Sequence, residues 1–278
     1  MATSKIILAT ALAVMLIVGF SVGIIAEPLL IQQSTTSDPI WDNIVATGKI
    51  KVACDPTWPP YESLDSNGNF IGFEVDLVNV IAQKLNVTAE WQNVSFWNIQ
   101  ASVENKSVDM GVSGFSVTSE RLSQVSFTLP HSTARRQILM TPSRMVSLHI
   151  TTLNSLEELK SLNVTIGVQS GTTEMDELTS VGVNYKSFDD FGSAMQDLTS
   201  NNPSVDGVYA ETPLTVLIEQ YNAQGKNIAA VYDAPYYPCA FMTNINAHTF
   251  TAKVNGALSD IIASGQMDTL KAKWGLTT

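Results

Sequence analysis

Residues 72–85, "GFEVDLVNVIAQKL", carry apolar side chains at the period of a helix. The apolar positions are Leu77, Val78, Ile81, Ala82 and Leu85. The polar positions fall elsewhere on the circumference, at Asp76, Asn79, Gln83 and Lys84. Such spacing is typical of a helix that packs one face against a core. The segment therefore predicts an amphipathic helix lying on a sheet.

Strand-like segments lie on both sides of this helix. "KIKVAC" (49–54) precedes it, "TAEWQNV" (88–94) follows it, and "VDMGVSGFSV" (108–117) comes after a second helical stretch at 97–107. Residues 55–70 are rich in Pro, Asp, Asn and Gly, which predicts loop and turn. The alternation of strands and helices predicts an α/β lobe built on a mostly parallel sheet with helices on its faces.

The same alternation returns in the second half of the chain. Strands are predicted at 136–142, 163–169, 184–188, 205–211, 227–234 and 239–245. Helices are predicted within 155–162, 170–182, 189–200 and 212–224, and two more close the chain at about 248–274. The chain thus contains two α/β lobes, and the closing helices, which have no sheet of their own, are expected to return to the first lobe.

Composition limits the classes of function. The 278 residues are 45% hydrophobic, enough for one large or two medium cores, and the net charge is −11. An acidic chain with 15% charged residues argues against binding nucleic acid, which requires basic patches. His131, His149 and His248 are scattered without metal or triad spacing, so we expect no metal centre, no cofactor and no catalytic residues of that kind.

The N-terminus carries a segment of membrane-spanning length. Residues 6–26 contain no charge and follow Lys5, and 21 residues of helix span about 30 Å. We interpret residues 1–26 as a membrane anchor or a signal peptide, and the poor cleavage site at residues 21–23 favours the anchor. Residues 27–39 read as a polar linker, and either reading places the rest of the chain outside the cytoplasm.

Two further features fit export weakly. Glycosylation sequons begin at Asn86, Asn93, Asn105 and Asn163, although such triplets often arise by chance. Cys54 and Cys239 either pair as a disulfide or remain two buried free thiols, and their spacing does not decide between these alternatives.

Candidate binding residues lie where predicted strands end. Ligands of open α/β sheets bind at the carboxyl ends of strands, near helix N-termini. "SGFSVTSER" (113–121) places hydroxyls before a helix start, with Thr118 as the predicted N-cap and Arg121 one turn in. A guanidinium and helix N–H groups suit a carboxylate, whereas the alternative is a capped helix with a solvated arginine.

Other strand ends add to this candidate site. "QSGTTE" (169–174) supplies Thr172 and Thr173, and Glu211 ends a strand where a carboxylate is costly unless it meets a cation such as an α-ammonium. Trp58 and Phe96 lie in or beside such loops and would line a slot for a side chain, unless they are ordinary core residues.

These residues resemble the extracellular solute-binding proteins of polar amino-acid ABC importers (family 3 periplasmic binding proteins). The most specific match is the helix motif from Gly72 to Leu77, and the resemblance extends over about residues 40–278. It implies a type II periplasmic-binding-protein fold, in which two lobes joined by two crossover strands close on one amino acid. Lobe I is expected at 40–132 and 236–278, and lobe II at 133–235.

The resemblance also implies roles for individual residues. Arg121 would bind the ligand's α-carboxylate, helped by Ser116 and Thr172. Glu211 would hold the α-ammonium together with Ser113 or the backbone of Gly114. Trp58 and Phe96 would line the side-chain slot, with Asp55 near its end. The chain departs from the family pattern at "LPHSTARR" (129–136), and His131 receives no role.

Three functions fit the sequence. The first is a monomeric receptor that delivers an amino acid to an ABC permease, either tethered to the outer face of the membrane or secreted. The others are a ligand-sensing ectodomain and an enzyme that resembles cyclohexadienyl or arogenate dehydratases.

Arg121, Asp55 and Glu211 together carry a net charge of −1, which favours a cationic or amide-bearing ligand. Arg135 and Arg136 would reverse this preference if either faced the cleft.

Overall fold

The computed structural model describes residues 38–211 and 214–276. The predicted anchor or signal peptide at 1–26 and most of the predicted linker lie outside these residues. The described chain begins with a helix from Pro39, which the Asp38 side chain caps by accepting hydrogen bonds from the N–H groups of Ile40 and Trp41. Among the described residues, no helix combines the length and apolar character needed to cross a membrane.

Strands and helices alternate through both halves of the described chain. The strands are β1 (Lys49–Cys54), β2 (Thr57–Trp58), β3 (Glu62–Leu64), β4 (Phe70–Ile71), β5 (Thr88–Asn93), β6 (Met110–Val112), β7 (Val125–Phe127), β8 (Ser132–Met140), β9 (Thr165–Gln169), β10 (Asn184–Phe188), β11 (Gly207–Glu211), β12 (Ala229–Cys239) and β13 (Met242–Asn244). The helices are α1 (Pro39–Thr47), α2 (Phe73–Lys84), α3 (Phe96–Glu104), α4 (Ser119–Leu122), α5 (Pro142–Leu148), α6 (Glu157–Ser161), α7 (Thr173–Val181), α8 (Phe191–Leu198), α9 (Leu214–Ala223), α10 (His248–Ala263) and α11 (Gln266–Lys273).

The first lobe is built on a sheet with the strand order β5-β1-β6-β13-β7. Strand β1 pairs in parallel with β5 and β6, whereas β13 pairs antiparallel with β6 and β7. Helix α2 buries its predicted apolar face in the core of this lobe, through Leu77, Val78 and Ile81. Phe250 and Leu258 of α10 belong to the same core, so the prediction that the closing helices return to the first lobe is confirmed.

The second lobe is built on a sheet with the order β10-β9-β11-β8-β12. Strands β10, β9 and β11 are parallel, and the long strands β8 and β12 run antiparallel to each other. These two strands carry the chain from the first sheet to the second and back, which accounts for their opposite directions. The two-lobed α/β fold is thus confirmed, although each sheet is mixed rather than mostly parallel, because the returning strands add antiparallel pairs.

Residues 55–70 differ from the prediction of loop and turn. They contain most of a small antiparallel sheet, β2-β3-β4, in which Ser63 pairs with both Thr57 and Ile71. Strands of two or three residues are too short to show the alternation that identifies a strand in sequence. Strand β7 and helix α5 were also not predicted, and both are short.

The two cysteines are free and buried. Burial raises the pKa of each thiol well above its ordinary value. We expect Cys54 and Cys239 to be inert to an aromatic disulfide reagent in the native protein, because a buried thiol with a raised pKa supplies little thiolate. Both should react after denaturation without reductant. A denatured, unreduced protein with no titratable thiol would show that they pair instead.

The asparagines of the four sequons are all exposed. They are Asn86, Asn93, Asn105 and Asn163. Exposure is required of a glycan acceptor but does not show that a glycan is attached, so glycosylation stays a prediction.

Candidate functional site

A cleft between the two lobes brings the predicted site residues together. The empty space in this cleft is about 520 Å³, a figure that includes the part open to solvent. All ten predicted residues line it: Asp55, Trp58, Phe96, Ser113, Gly114, Ser116, Arg121, Thr172, Thr173 and Glu211. Most of them lie at or just after the ends of strands on this side of their sheets, which is where open α/β sheets bind ligands. Their contacts with a ligand stay a prediction.

Arg121 is buried, at 8% exposure, and is not the solvated arginine of the alternative interpretation. Thr118 caps the short helix α4 as predicted, because its hydroxyl accepts a hydrogen bond from the Arg121 N–H at 3.2 Å. The guanidinium donates to the Ser116 carbonyl at 3.1 Å and, across the cleft, to the Gly171 carbonyl at 3.3 Å. Its carbon lies 5.2 Å from the centre of the Phe115 ring. Two carbonyls thus hold the cationic fork at the cleft wall.

Ser116 and Glu211 meet across the cleft. The Ser116 hydroxyl donates a short hydrogen bond to Oε1 of Glu211, which joins the first lobe to the second. Burial raises the pKa of the Glu211 carboxyl, and the hydrogen bond from Ser116 and the charges of Arg136 and Arg121 oppose that rise. The carboxyl is therefore positioned to accept hydrogen bonds from a ligand cation in water-poor surroundings.

Asp55 is occupied by protein donors in this structure. Its Oδ2 accepts from the Phe96 N–H at the start of α3, at 3.1 Å, and from Nε2 of Gln169, at 3.0 Å. The second of these bonds links the two lobes. Burial raises the pKa of Asp55, and hydrogen bonds from Thr57 and Phe96 oppose the rise. Gln169 begins the "QSGTTE" stretch but was not selected from the sequence, because it is also the last residue of the predicted strand at 163–169.

Glu62 is a cleft carboxyl that the sequence analysis did not select. It is fully buried and lines the cleft, and its hydrogen-bonding neighbour is the carboxyl of Glu74, so that it has no cationic or amide partner among the described residues. Burial and the neighbouring Glu74 carboxyl raise the pKa of Glu62 well above its ordinary value. Glu74 itself is satisfied, because Oε1 pairs with Nε2 of His131 at 2.7 Å and Oε2 accepts from the Gly114 N–H at 3.1 Å. His131 thereby receives a role that the sequence did not suggest.

Aromatic rings form two walls of the cleft. Trp58 packs against Phe191 of the second lobe, with ring centres 5.5 Å apart. Phe96 stacks on Phe115 with ring centres 4.7 Å apart and planes inclined by 21°. Phe191 was not predicted as a site residue, because its place at the start of helix α8 gives it the pattern of a core residue. Flat apolar walls of this kind suit an aliphatic chain or a cation.

Thr172 and Thr173 lie at the start of α7, beside a further buried carboxyl. The Thr172 hydroxyl donates to the Gln169 carbonyl at 2.8 Å and makes no helix cap. The Thr173 hydroxyl donates to Oε2 of Glu174 at 3.3 Å. Glu174 is 2% exposed and lines the cleft. Sequence reasoning missed it, because a glutamate in the first turn of a helix is ordinarily exposed.

Neither Arg135 nor Arg136 lines the cleft, although the charge of Arg136 acts on the cleft carboxyls Glu174 and Glu211. Arg135 pairs with Asp233 at 3.4 Å. Arg136 pairs with Glu177 at 2.5 Å and lies over the Tyr237 ring. Among the described residues, the guanidinium and carboxyl groups that line the cleft belong to Arg121, Asp55, Glu62, Glu174 and Glu211. The cleft is thus more acidic than the sequence analysis expected.

A family model and a curated relative both match most of this chain. The family model of the bacterial extracellular solute-binding proteins, family 3, matches residues 50–277. A putative ABC transporter arginine-binding protein 2 of Escherichia coli (strain K12) is 27% identical over 242 residues, which cover 82% of this chain and 91% of that protein.

Solved structures resemble the fold over nearly the same span. An ancestral arginine-binding protein bound to arginine is 28% identical, with a TM-score of 0.72 over 82% of this chain and 98% of that one. An ancestral amino acid-binding protein, a precursor of cyclohexadienyl dehydratase, is 25% identical, with a TM-score of 0.73 over 84% of this chain and 98% of that one.

Proposed function

This chain belongs to the bacterial extracellular solute-binding proteins of family 3, and we propose that it captures one cationic amino acid outside the cytoplasm and delivers it to an ABC importer. The observation that supports this ligand class is the set of acidic and basic groups in the cleft, where four carboxyls accompany a single arginine. The arginine-binding relatives and structural neighbours favour the same ligand class.

The ligand's backbone groups fit one end of the cleft. We place the α-carboxylate on the guanidinium of Arg121, which is held by two carbonyls and keeps N–H groups for a bidentate pair. The hydroxyls of Ser116 and Thr172 lie beside that position. The α-ammonium meets Glu211, with Ser113 and the Gly114 backbone at the same wall. An ammonium offers three donors and needs such acceptors when water is excluded.

The ligand's side chain then runs between the aromatic walls toward Glu62. This carboxyl has only the Glu74 carboxyl beside it and no cationic or amide partner among the described residues, whereas Asp55 is already engaged by Phe96 and Gln169. We therefore assign the distal cation to Glu62 and give Asp55 a supporting role at the same end. An unpaired buried carboxylate is costly, and a guanidinium or ammonium would remove that cost. Glutamine is the second candidate, because its amide donates hydrogen bonds without neutralising a charge.

Closure of the two lobes completes the site. Three hydrogen bonds already cross the cleft, between Arg121 and Gly171, Asp55 and Gln169, and Ser116 and Glu211. Strands β8 and β12 form the hinge, and we propose lobe I at 40–132 and 236–278 with lobe II at 133–235. An open form binds the ligand on one lobe, and the other lobe then closes about the crossover strands. The closed form presents one continuous surface to the permease.

We further propose that the protein acts as a monomer without cofactor, metal or catalytic activity. It works at the outer face of the membrane, where an uncleaved segment at 1–26 would keep it near its permease. A native protein whose N-terminus begins near residue 24–27 would instead identify a signal peptide.

A thermal-shift screen of the twenty amino acids tests the ligand class. Arginine or lysine should give the largest rise in melting temperature, because a ligand at 100 times its Kd adds about 2.7 kcal/mol to the free energy of unfolding. Glutamine should rank below them, and glutamate and aspartate should have no effect. Calorimetry on the leading ligands converts the ranking into dissociation constants. Glutamate or aspartate binding most tightly would contradict the charge argument.

A variant and a substrate test sharpen this screen. Glu62→Gln should reduce the preference for arginine over glutamine, because only the cationic side chain gains from the carboxylate charge. Glu158→Gln, a partly exposed glutamate of helix α6 outside the cleft, is the matched control and should leave the ranking unchanged.

Prephenate and arogenate should remain intact during incubation with the protein. Their conversion would favour the dehydratase alternative.

A further inference from the structure

Glu174 is the cleft carboxyl whose role remains unassigned. It lies in the first turn of α7, is 2% exposed and lines the cleft together with Arg121 and Glu211. Its Oε1 has no hydrogen-bond partner among the described residues, whereas the Thr173 hydroxyl donates to its Oε2 at 3.3 Å and the backbone N–H of Glu174 also donates to the carboxyl. A buried carboxyl with an unused oxygen that faces a cavity is positioned to receive a donor from whatever enters.

Charged and titratable groups on four elements act on Glu174. They are Glu177 on α7, Glu211 and Tyr209 on β11, Arg136 on β8 and Arg121 on α4. Arg136 forms its ion pair with Glu177, and the Tyr209 hydroxyl also donates to Glu177, at 2.6 Å. Arg121 is held by two carbonyls and faces both Glu211 and Glu174. No cation among the described residues forms an ion pair with Glu174.

The empty cleft therefore favours a protonated Glu174. Burial and the neighbouring charge of Glu211 together raise the pKa of this carboxyl to about 8, against the opposing charge of Arg136. The neutral acid is the dominant form at pH 7 and below. A ligand that brings a positive charge to this position reverses the balance, because the carboxylate then gains a partner inside a poorly hydrated site.

We propose that Glu174 is a second carboxyl for the ligand's α-ammonium, beside Glu211, and that it releases one proton to solvent when the ligand binds. The step breaks the O–H bond of the Glu174 carboxylic acid, the proton goes to the buffer, and the carboxylate accepts a hydrogen bond from the intact ammonium. The inference rests on the proposed function, since it requires a ligand with an α-ammonium group.

Proton release makes ligand affinity dependent on pH. A pKa that is raised in the empty protein and lowered in the complex means that protons compete with the ligand. Affinity should therefore rise about tenfold per pH unit from pH 6 to about 7, and level off above pH 8. If the protonated carboxyl instead donated a hydrogen bond to the ligand, affinity would fall as the pH rises.

Calorimetric titration with arginine at pH 7 tests the proposal. Repeating it in phosphate, in an organic sulfonate buffer and in Tris gives the number of protons exchanged, from the slope of observed enthalpy against the ionisation enthalpy of the buffer. Glu174→Gln keeps an oxygen acceptor for the ammonium but cannot ionise, so it should still bind arginine while releasing about one proton fewer than the wild type. This difference separates Glu174 from Glu62. Glu157→Gln, at an exposed glutamate in the first turn of α6, should release as many protons as the wild type.

The outcomes are distinct. Equal proton release by the wild type and a folded Glu174→Gln would overturn the inference and leave the proposed function intact. Wild-type affinity that stays flat between pH 6 and 8 would also overturn it, without need of any variant. Failure of every amino acid to bind would overturn the proposed function itself, and the inference with it.

Discussion

Arg121→Lys is expected to weaken ligand binding by about 2–4 kcal/mol, or roughly 30- to 1,000-fold. The guanidinium of Arg121 is fixed by the carbonyls of Ser116 and Gly171 and is 8% exposed. A lysine ammonium is a point charge and does not reproduce the planar fork that pairs with both oxygens of a carboxylate. The ligand's carboxylate would then be buried with an imperfect partner. Calorimetric titration with the leading ligand of the screen measures the loss.

Arg144→Lys serves as the control for this substitution. Arg144 makes an ion pair with Asp206 at 2.6 Å and does not line the cleft, so its replacement should leave affinity unchanged. Wild-type affinity in a folded Arg121→Ala variant would remove Arg121 from the binding site altogether.

Gly171→Ala should prevent full closure of the lobes and lower affinity on the order of ten- to a hundredfold. Gly171 has a φ of +77°, and a Cβ built on it would lie 2.8 Å from Cβ and 2.9 Å from Cα of Trp97 in the first lobe. The Trp97 Cα belongs to the backbone of α3 and has little freedom to move. Small-angle scattering with saturating ligand should show a larger radius of gyration for the variant than for the wild type.

Gly225→Ala is the control for the backbone strain that Gly171→Ala introduces. Gly225 has a φ of +78°, but its added Cβ would meet no heavy atom of the described chain within 4 Å. Both variants therefore carry the same backbone strain, on the order of 1 kcal/mol, whereas only Gly171→Ala carries the clash between the lobes. Equal ligand affinity in the two variants would show that Gly171 does not limit closure.

Glu174 and Glu62 also bear on how such a cleft is specified. A cleft that holds four carboxyls and one arginine is unfavourable when empty unless some of its carboxyls stay protonated. A cationic ligand removes that need, so charge selection and proton release follow from the same arrangement. The acidic cleft therefore favours cationic ligands for two reasons. Its carboxyls lack a cationic partner when no ligand is bound, and they contact the cation when the ligand binds.

The local pattern of the sequence was enough to predict two α/β lobes and candidate binding residues at the ends of strands, whereas the family resemblance predicted lobes that close on a ligand. Residues 72–85 contain the predicted helix, because their apolar spacing places the apolar side chains on the one face that packs against the sheet. Residues at or just after the carboxyl ends of β6 in the first sheet and of β9 and β11 in the second line one cleft, because open α/β sheets bind ligands at the carboxyl ends of their strands. Thr118 caps α4 because capping depends on residues within one turn.

The electrostatics of the cleft were decided by contacts between residues that are distant in sequence. Asp55 and Gln169 are 114 residues apart, and Glu74 and His131 are 57 apart, so no local pattern relates them. Glu174 and Glu157 both lie in the first turn of a helix, yet only Glu174 is buried, because it lies in the cleft with Glu211. Local sequence limits the conformation of a segment, whereas the burial and the pKa of a carboxyl depend on what the rest of the chain packs around it.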